Sequence, residues 1–144
     1  MALLSGCASN QPASAISKVQ MFHLKTEKGV ATRDQMILSE SRSRFWGALT
    51  REERQGRLGN YYKVHWKAED EATPVTVKFE YRQASSGSTL HTQTTTVPSP
   101  HGSNVTEFQV TGPAYQKDGR VVAWRVTVEQ GGRVLGEESS FLWN

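Results

Sequence analysis

Residues 119–143 constrain the fold of this chain most, because they show the alternation that is typical of a β-hairpin. Period-two alternation places every second side chain on the same face of a strand, so that one face can be buried. The face that we expect to be buried in the first strand consists of Val122, Trp124, Val126 and Val128. Gly131 and Gly132 follow, and a glycine pair supplies the positive φ angles of a tight hairpin turn.

Other short segments have strand character, namely residues 16–24, 36–38, 61–68, 75–83, 89–97 and 105–111. Residues 89–97 are rich in threonine and poor in apolar surface, so we expect them at a sheet edge. Turn residues separate most segments and no long amphipathic helix is evident, which predicts an all-β fold, an antiparallel β-sandwich of about seven strands. We expect one core that contains Trp66, Phe79, Tyr81, Phe108, Val122, Trp124 and Val126.

From residue 61 onward the order of features resembles that of fibronectin type III and related immunoglobulin-like domains. Trp66 ends a strand as the core tryptophan of that family does, residues 77–82 are similar to its next strand, and residues 94–98 to its short edge strand. Two features depart from the family: Trp124 stands where a tyrosine is common, and residues 25–60 exceed the usual length of that region. Because such folds host many unrelated functions, the resemblance implies an architecture and no activity.

Composition excludes several classes of function. The chain has 144 residues, which suits one folded domain at residues 16–144, and its mean hydropathy of −0.57 is not that of a protein with membrane-spanning helices. The 17 basic and 14 acidic residues leave a net charge of +3, which is too little for a nucleic-acid partner to be expected. One cysteine and the spacing of His23, His65, His91 and His101 predict neither a metal site nor another cofactor.

Residues 41–60 are the least strand-like part of the domain. Thr50 and Glu53 have the spacing of a capping box, which predicts a short helix within residues 45–60. Gly59 is expected to close this helix as its C-terminal cap. Such a short helix needs tertiary packing, and the side chains available to anchor it are Phe45, Trp46, Leu49 and Leu58. One interpretation is that these residues plug one end of the core.

The same segment is strongly basic. Between residues 42 and 57, five arginines stand against two glutamates, a net charge of +3. Arginine and tryptophan are enriched at binding hot spots, and a long insertion in a compact domain is often functional. The candidate binding residues are Arg42, Arg44, Phe45, Trp46, Arg51, Arg54 and Arg57. They would form a surface for an acidic protein or an anionic envelope polymer; alternatively, the aromatic residues fill the core and the arginines keep the surface soluble.

The N-terminus resembles that of bacterial lipoproteins. Residues 4–7, Leu-Ser-Gly-Cys, are similar to the lipobox, whose cysteine is lipidated and becomes the mature N-terminus. The upstream part departs from the family, because it has no basic region and too few apolar residues. Residues 1–15 are therefore interpreted as a truncated signal followed by a flexible tether. The resemblance implies a lipid anchor at Cys7 and a location on the periplasmic or extracellular face of the cell envelope; the alternative is a free cysteine in a leader.

Two functional hypotheses follow. The first is a non-enzymatic envelope module that recognises a protein or glycan or has a structural role. The second is a small envelope hydrolase whose site is assembled from distant residues, with contributions from His91, His101 and the acidic pairs 52–53 and 137–138. The sequence has no nucleophile elbow and no phosphate-binding loop, so the first hypothesis is preferred and no catalytic residue is assigned. A cleft that joins His91 or His101 to a carboxylate would favour the second.

Overall fold

The computed structural model describes residues 14–25 and 33–143. Cys7 and most of the proposed tether lie outside these ranges. The described residues form seven strands and three helices. In chain order they are β1 (Ile16–Leu24), α1 (Gln35–Phe45), α2 (Arg51–Arg57), β2 (Gly59–Lys67), β3 (Val75–Gln83), β4 (His91–Val97), β5 (Ser103–Thr111), α3 (Gly112–Asp118), β6 (Val121–Gln130) and β7 (Arg133–Ser139).

The strands form two antiparallel sheets that pack face to face. One sheet has the order β1-β2-β5 and the other the order β4-β3-β6-β7. β4 lies at a sheet edge, as its threonine-rich sequence predicts. Seven strands in two antiparallel sheets that pack face to face form an immunoglobulin-like sandwich, here with the fourth strand paired to the third rather than to the fifth. The predicted all-β sandwich of about seven strands is confirmed.

The core consists of the inward faces of both sheets. Phe79 lies at its centre, with ring centroids 4.7 Å from Tyr62, 5.2 Å from Phe108 and 5.1 Å from Tyr81. Trp66 is fully buried, and its indole Nε1 donates a hydrogen bond of 2.9 Å to Thr106. A buried indole N–H without a partner would be costly, so this contact fixes the orientation of the ring. Six of the seven predicted core residues belong to this cluster.

The seventh residue, Val122, is a correction. The pairing of β3 with β6 shifts between Arg82 and Gln83, because Arg82 pairs with Ala123 whereas Gln83 pairs with Val121. Val122 is the extra residue of this β-bulge, which reverses the alternation at the start of β6. Val121 therefore belongs to the core and Val122 is only half-buried. The hairpin turn itself is as predicted, with φ of 59° at Gly131 and 76° at Gly132.

Residues 36–38 were predicted to form a strand, but they belong to the first helix. Asp34 is the N-cap of α1, and its Oδ1 accepts hydrogen bonds from the backbone N–H of Met36 at 2.9 Å and of Ile37 at 3.5 Å. The cap satisfies backbone donors that the first turn of a helix leaves free. Three apolar residues in a row do not distinguish a strand from a helix, and here the cap favours the helix.

The capping box of α2 is confirmed, since the Thr50 hydroxyl accepts from the Glu53 backbone and the Glu53 carboxylate accepts from the Thr50 backbone. Gly59, however, does not cap this helix; the C-cap is Leu58, which is already extended. Gly59 is the first residue of β2 and pairs with Thr111. A Cβ at Gly59 would lie 2.0 Å from the carbonyl oxygen of Val110, so the close approach of the strands requires glycine.

α3 is an element that sequence patterns did not predict. Gly112 and Pro113 end β5 as expected, but the chain then forms about two helical turns up to Asp118. Proline in the first turn of a helix is favourable, because its missing N–H would have no helical partner there. The N–H of Gly119 donates to Tyr115 O at 2.8 Å and ends the helix. α3 leads the chain from one sheet to the other.

Candidate functional site

The arginine-rich segment (residues 42–57) includes the end of α1, the α1–α2 loop (residues 46–50) and α2. It lies against the outer face of the β1-β2-β5 sheet, where Tyr61 and Lys63 of β2 are paired with Gln109 and Glu107 of β5. The outer face is polar at this point, so the contacts between the helices and the sheet are hydrogen bonds and ion pairs rather than apolar packing.

Arg44 makes the main contact of α1 with the sheet. Its Nε donates to Glu40 Oε1 at 2.8 Å on the same helix, and its Nη1 donates to Glu107 on β5. The guanidinium also lies over the ring of Tyr61, with Cζ 4.3 Å from the ring centroid. Burial alone lowers the pKa of Arg44, but the hydrogen bonds to Glu107 and Glu40 outweigh it and raise the pKa. Arg44 is thus a fixed, internally neutralised cation.

Arg57 holds the end of α1 in place. Its Nη1 donates to the carbonyl oxygens of Arg44 and Trp46, each at 2.9 Å. The hydroxyl of Tyr61 in turn donates to the carbonyl of Arg57. Carbonyls at the end of a helix have no helical partner, and Arg57 supplies one. Of the predicted binding residues, Arg44 and Arg57 therefore position the segment, and their guanidinium groups already have partners in this chain.

The α1–α2 loop protrudes into solvent. Trp46 is 85% exposed and Leu49 is 89% exposed, whereas Ala48 between them is only 5% exposed. Phe45 and Leu58 are half-buried. The interpretation that Trp46 and Leu49 plug the core is wrong, because α1 and α2 rest on the outer face of one sheet and neither side chain reaches the space between the sheets. Gly47, with φ of 78°, turns the chain so that Ala48 is the residue that faces inward.

The remaining arginines of the segment, Arg42, Arg51 and Arg54, are exposed. The Arg54 guanidinium lies 6.0 Å from the centroid of the Phe45 ring, which places its charge next to the loop. Glu53 offers little opposing charge to a partner, because its Oε2 accepts from the backbone N–H of Leu49 at 2.6 Å and of Thr50 at 2.9 Å. These hydrogen bonds, that from Thr50 first, lower the pKa of Glu53.

The residues of the hydrolase hypothesis lie on different elements. His91 is on β4, where its ring stacks on Tyr81 with a centroid distance of 5.2 Å. His101 follows β4, and its backbone N–H donates to Asn104 at 2.9 Å. Glu52 and Glu53 are on α2, and Glu137 and Glu138 are on β7. The structure does not bring these residues together.

Two concave features lie elsewhere. A pocket of about 250 Å³ lies between α1 and strands β1 and β2, and a cleft of about 390 Å³ separates β1 from β7 next to Trp124. Neither His91 nor His101 lines them. Within residues 14–25 and 33–143, no three His, Cys, Asp or Glu side chains are grouped as metal ligands. None of the helices in these ranges has the length and apolar character needed to cross a bilayer.

Comparison with known proteins adds one structural neighbour. No protein-family model matches the sequence, and no curated protein matches it. Among solved structures, the chain is similar to an immunoglobulin-like protein from Pseudomonas aeruginosa. The TM-score is 0.42 with 21% identical residues, over 57% of this chain and 70% of the other.

Proposed function

We propose that this chain is a non-enzymatic lipoprotein module of the cell envelope that binds an anionic partner through the α1–α2 loop and the arginines next to it. The observation that carries the proposal is the exposure of Trp46 and Leu49, at 85% and 89%, in a loop whose ends are held by Arg44 and Arg57. Exposed apolar side chains on an ordered framework, ringed by charge, are typical of binding sites.

The framework supports this proposal because the side chains of Trp46 and Leu49 take no part in fixing the loop. Arg57 binds the backbone of Trp46, and Glu53 binds the backbone of Leu49, so both side chains point away from their anchors. Because the loop is already ordered, binding of a partner would cost less conformational entropy than binding to a flexible loop. Arg42, Arg51 and Arg54 add positive charge around the two apolar side chains, which favours a negatively charged partner.

The proposed lipid anchor at Cys7 fits the placement of the described residues. Ala15 is bound at the end of the sandwich far from the loop, because its carbonyl accepts from Lys67 at 2.9 Å and its N–H donates to Leu135 at 3.1 Å. β1 then runs its nine residues toward the loop end, a distance of about 30 Å. An anchor that joins the domain at Ser14 leaves the α1–α2 loop open to a partner.

Charge removal at the loop tests the proposal. We expect the triple variant Arg42→Gln, Arg51→Gln, Arg54→Gln to bind immobilised polyglutamate about tenfold more weakly than the wild type, since three exposed charges contribute about 0.5 kcal/mol each. Arg44 and Arg57 are left in place so that the loop keeps its main anchors, although the variant removes the long hydrogen bond of 3.5 Å from Arg54 Nε to Ala48 O. The measurement is the salt concentration at which each protein elutes from the immobilised polyglutamate, and weaker binding gives elution at lower salt. Circular dichroism confirms that each variant is folded.

The matched control is the variant Lys18→Gln, Lys67→Gln, Arg133→Gln, which removes the same charge from exposed positions away from the loop. If binding depends on net charge alone, both variants will elute at the same salt concentration, and the loop is then not the site. Earlier elution of the loop variant alone is the result that supports the proposal.

A further inference from the structure

We infer that the anionic partner of the α1–α2 loop is the surface of a lipid bilayer, with Trp46 and Leu49 entering the interfacial region and the neighbouring arginines binding lipid phosphates. This inference rests on the proposed function and specifies its partner. It follows from the shape of the loop, from the kinds of side chain that it presents, and from the arrangement of charge around them.

The shape of the loop favours a deformable partner. At 85% and 89% exposure, Trp46 and Leu49 keep most of the surface that they would have in an extended peptide, so neither rests on a neighbour. The loop is therefore convex. A protein that buried both side chains would need a matching concave pocket, because interface cores pack as densely as protein interiors. A bilayer interface accepts a convex apolar projection without such a match.

The side chains suit the boundary between water and hydrocarbon. Tryptophan is enriched at membrane interfaces, where its ring is buried and its N–H stays close to polar groups. Leu49, three positions further, adds a purely apolar side chain on the same exposed loop. The two projections are held at a fixed spacing, because Ala48 between them is buried and its N–H donates to Phe45 O at 3.0 Å.

The charges next to the loop complement lipid phosphates. Arg42 lies in the last turn of α1 on one side of the loop, while Arg51 begins α2 on the other side and Arg54 follows in its last turn. Cations therefore flank both projections. Guanidinium groups bind phosphate oxygens through paired hydrogen bonds, and the negative surface potential of an anionic membrane attracts basic residues that lie close to it. Glu53 uses its carboxylate in the capping box, and Glu52 is the other exposed acidic residue of α2.

The two apolar side chains of the loop and a few charges would bind a bilayer only weakly, and stable attachment needs a second membrane anchor. A lipid at Cys7 would supply it. The seven residues from Cys7 to Ser14 can span at most about 25 Å. The anchored domain can therefore lie along the membrane, with the α1–α2 loop at its other end in contact with the bilayer. In that arrangement the loop orients the domain on the membrane and the lipid retains it there.

The test uses the full chain with Cys7→Ser, so that neither a lipid nor a disulfide-linked dimer contributes. Sedimentation with vesicles of equal phosphatidylglycerol and phosphatidylcholine is compared with sedimentation with phosphatidylcholine alone. We expect binding to the anionic vesicles, and a loss of about tenfold or more on Trp46→Ser with Leu49→Ser. The matched control is Phe141→Ser with Leu142→Ser, which removes two other exposed apolar side chains, 97% and 64% exposed.

Insertion also has a spectroscopic signature. Trp66 and Trp124 are buried, and Trp143 is half-buried against the guanidinium groups of Arg82 and Arg125. A blue shift of tryptophan emission on vesicle addition should therefore arise mainly from Trp46 and disappear in Trp46→Phe, which retains the other three tryptophans. If the loop variant and the control bind the vesicles equally, insertion of the loop is ruled out. If the wild type binds polyglutamate through its arginines but ignores anionic vesicles, the bilayer inference fails and the proposed function stands. Failure to bind both polyglutamate and anionic vesicles overturns the proposed function itself.

Discussion

Arg42 and Arg44 lie two positions apart on α1 and differ completely in their surroundings. Arg44 faces the sheet and is neutralised by Glu40 and Glu107, whereas Arg42 faces solvent. Sequence alone groups them, since both belong to the same basic run. The distinction depends on Glu107, which is 63 residues away from Arg44 and acquires its role only when β5 pairs with β2. No local pattern indicates that partner.

The β-bulge at the start of β6 gives a second contrast between neighbouring residues, and a prediction. Val121 packs in the core, so Val121→Ala should lower the free energy of unfolding by about 2 kcal/mol through lost burial and a small cavity. Val122→Ala should cost less than about 1 kcal/mol, because Val122 is half-buried and lies outside the core. Urea unfolding of both variants measures the difference. A larger loss for Val122 would mean that the bulge is misplaced.

At the scale of elements, alternation predicted the strands well. The bounds predicted for β1 and β3 are those observed, and β2, β4 and β5 differ by two residues or fewer at either end. Strands in a sandwich have one buried face, so their pattern carries the information that defines them. The capping box of α2 was predicted equally well, because Thr50 and Glu53 are three residues apart and each side chain accepts a hydrogen bond from the backbone of the other.

The helices on the surface were harder to predict. Residues 36–38 fit a strand as well as a helix, and the decisive residue is Asp34 before them. α3 has no apolar periodicity of its own and forms where the chain crosses between sheets. In the candidate site, the sequence indicated the segment and its chemistry. It did not indicate which side chains are exposed, because that depends on the outer sheet face against which α1 and α2 pack.

The attachment of α1 to the sheet leads to a prediction about that element. Arg44→Gln removes the contacts with Glu40 and Glu107 and weakens the packing on Tyr61. Charge-assisted hydrogen bonds contribute about 1.5–3 kcal/mol, so we expect amide hydrogen exchange in α1 to accelerate about tenfold or more while β3 and β6 stay protected. Arg42→Gln is the matched control and should leave α1 unchanged. Equal exchange in both variants would show that Arg44 does not hold the helix.

At the scale of the whole molecule, the two ends of the sandwich differ in charge. The end that binds Ala15 carries the exposed acidic run of residues 69–71 beside two exposed cations, Lys67 and Arg133, of which Arg133 pairs with Glu69 at 2.6 Å. The other end carries the α1–α2 loop with Arg42, Arg51 and Arg54. An anionic partner or surface would attract the loop end more strongly than the other. The fold thus supports one orientation of binding, with the loop toward the partner.

The central claim is that the α1–α2 loop is the contact surface, and a site-specific label tests it most directly. In the Cys7→Ser background, which has no other cysteine, a fluorophore is attached at Leu49→Cys or, as control, at Val134→Cys. Val134 is 56% exposed at the far end of the sandwich, beside the β6–β7 turn. On addition of native envelope membranes we expect emission to change at position 49, to recover in high salt, and to stay constant at position 134. A change confined to position 134 would contradict the account.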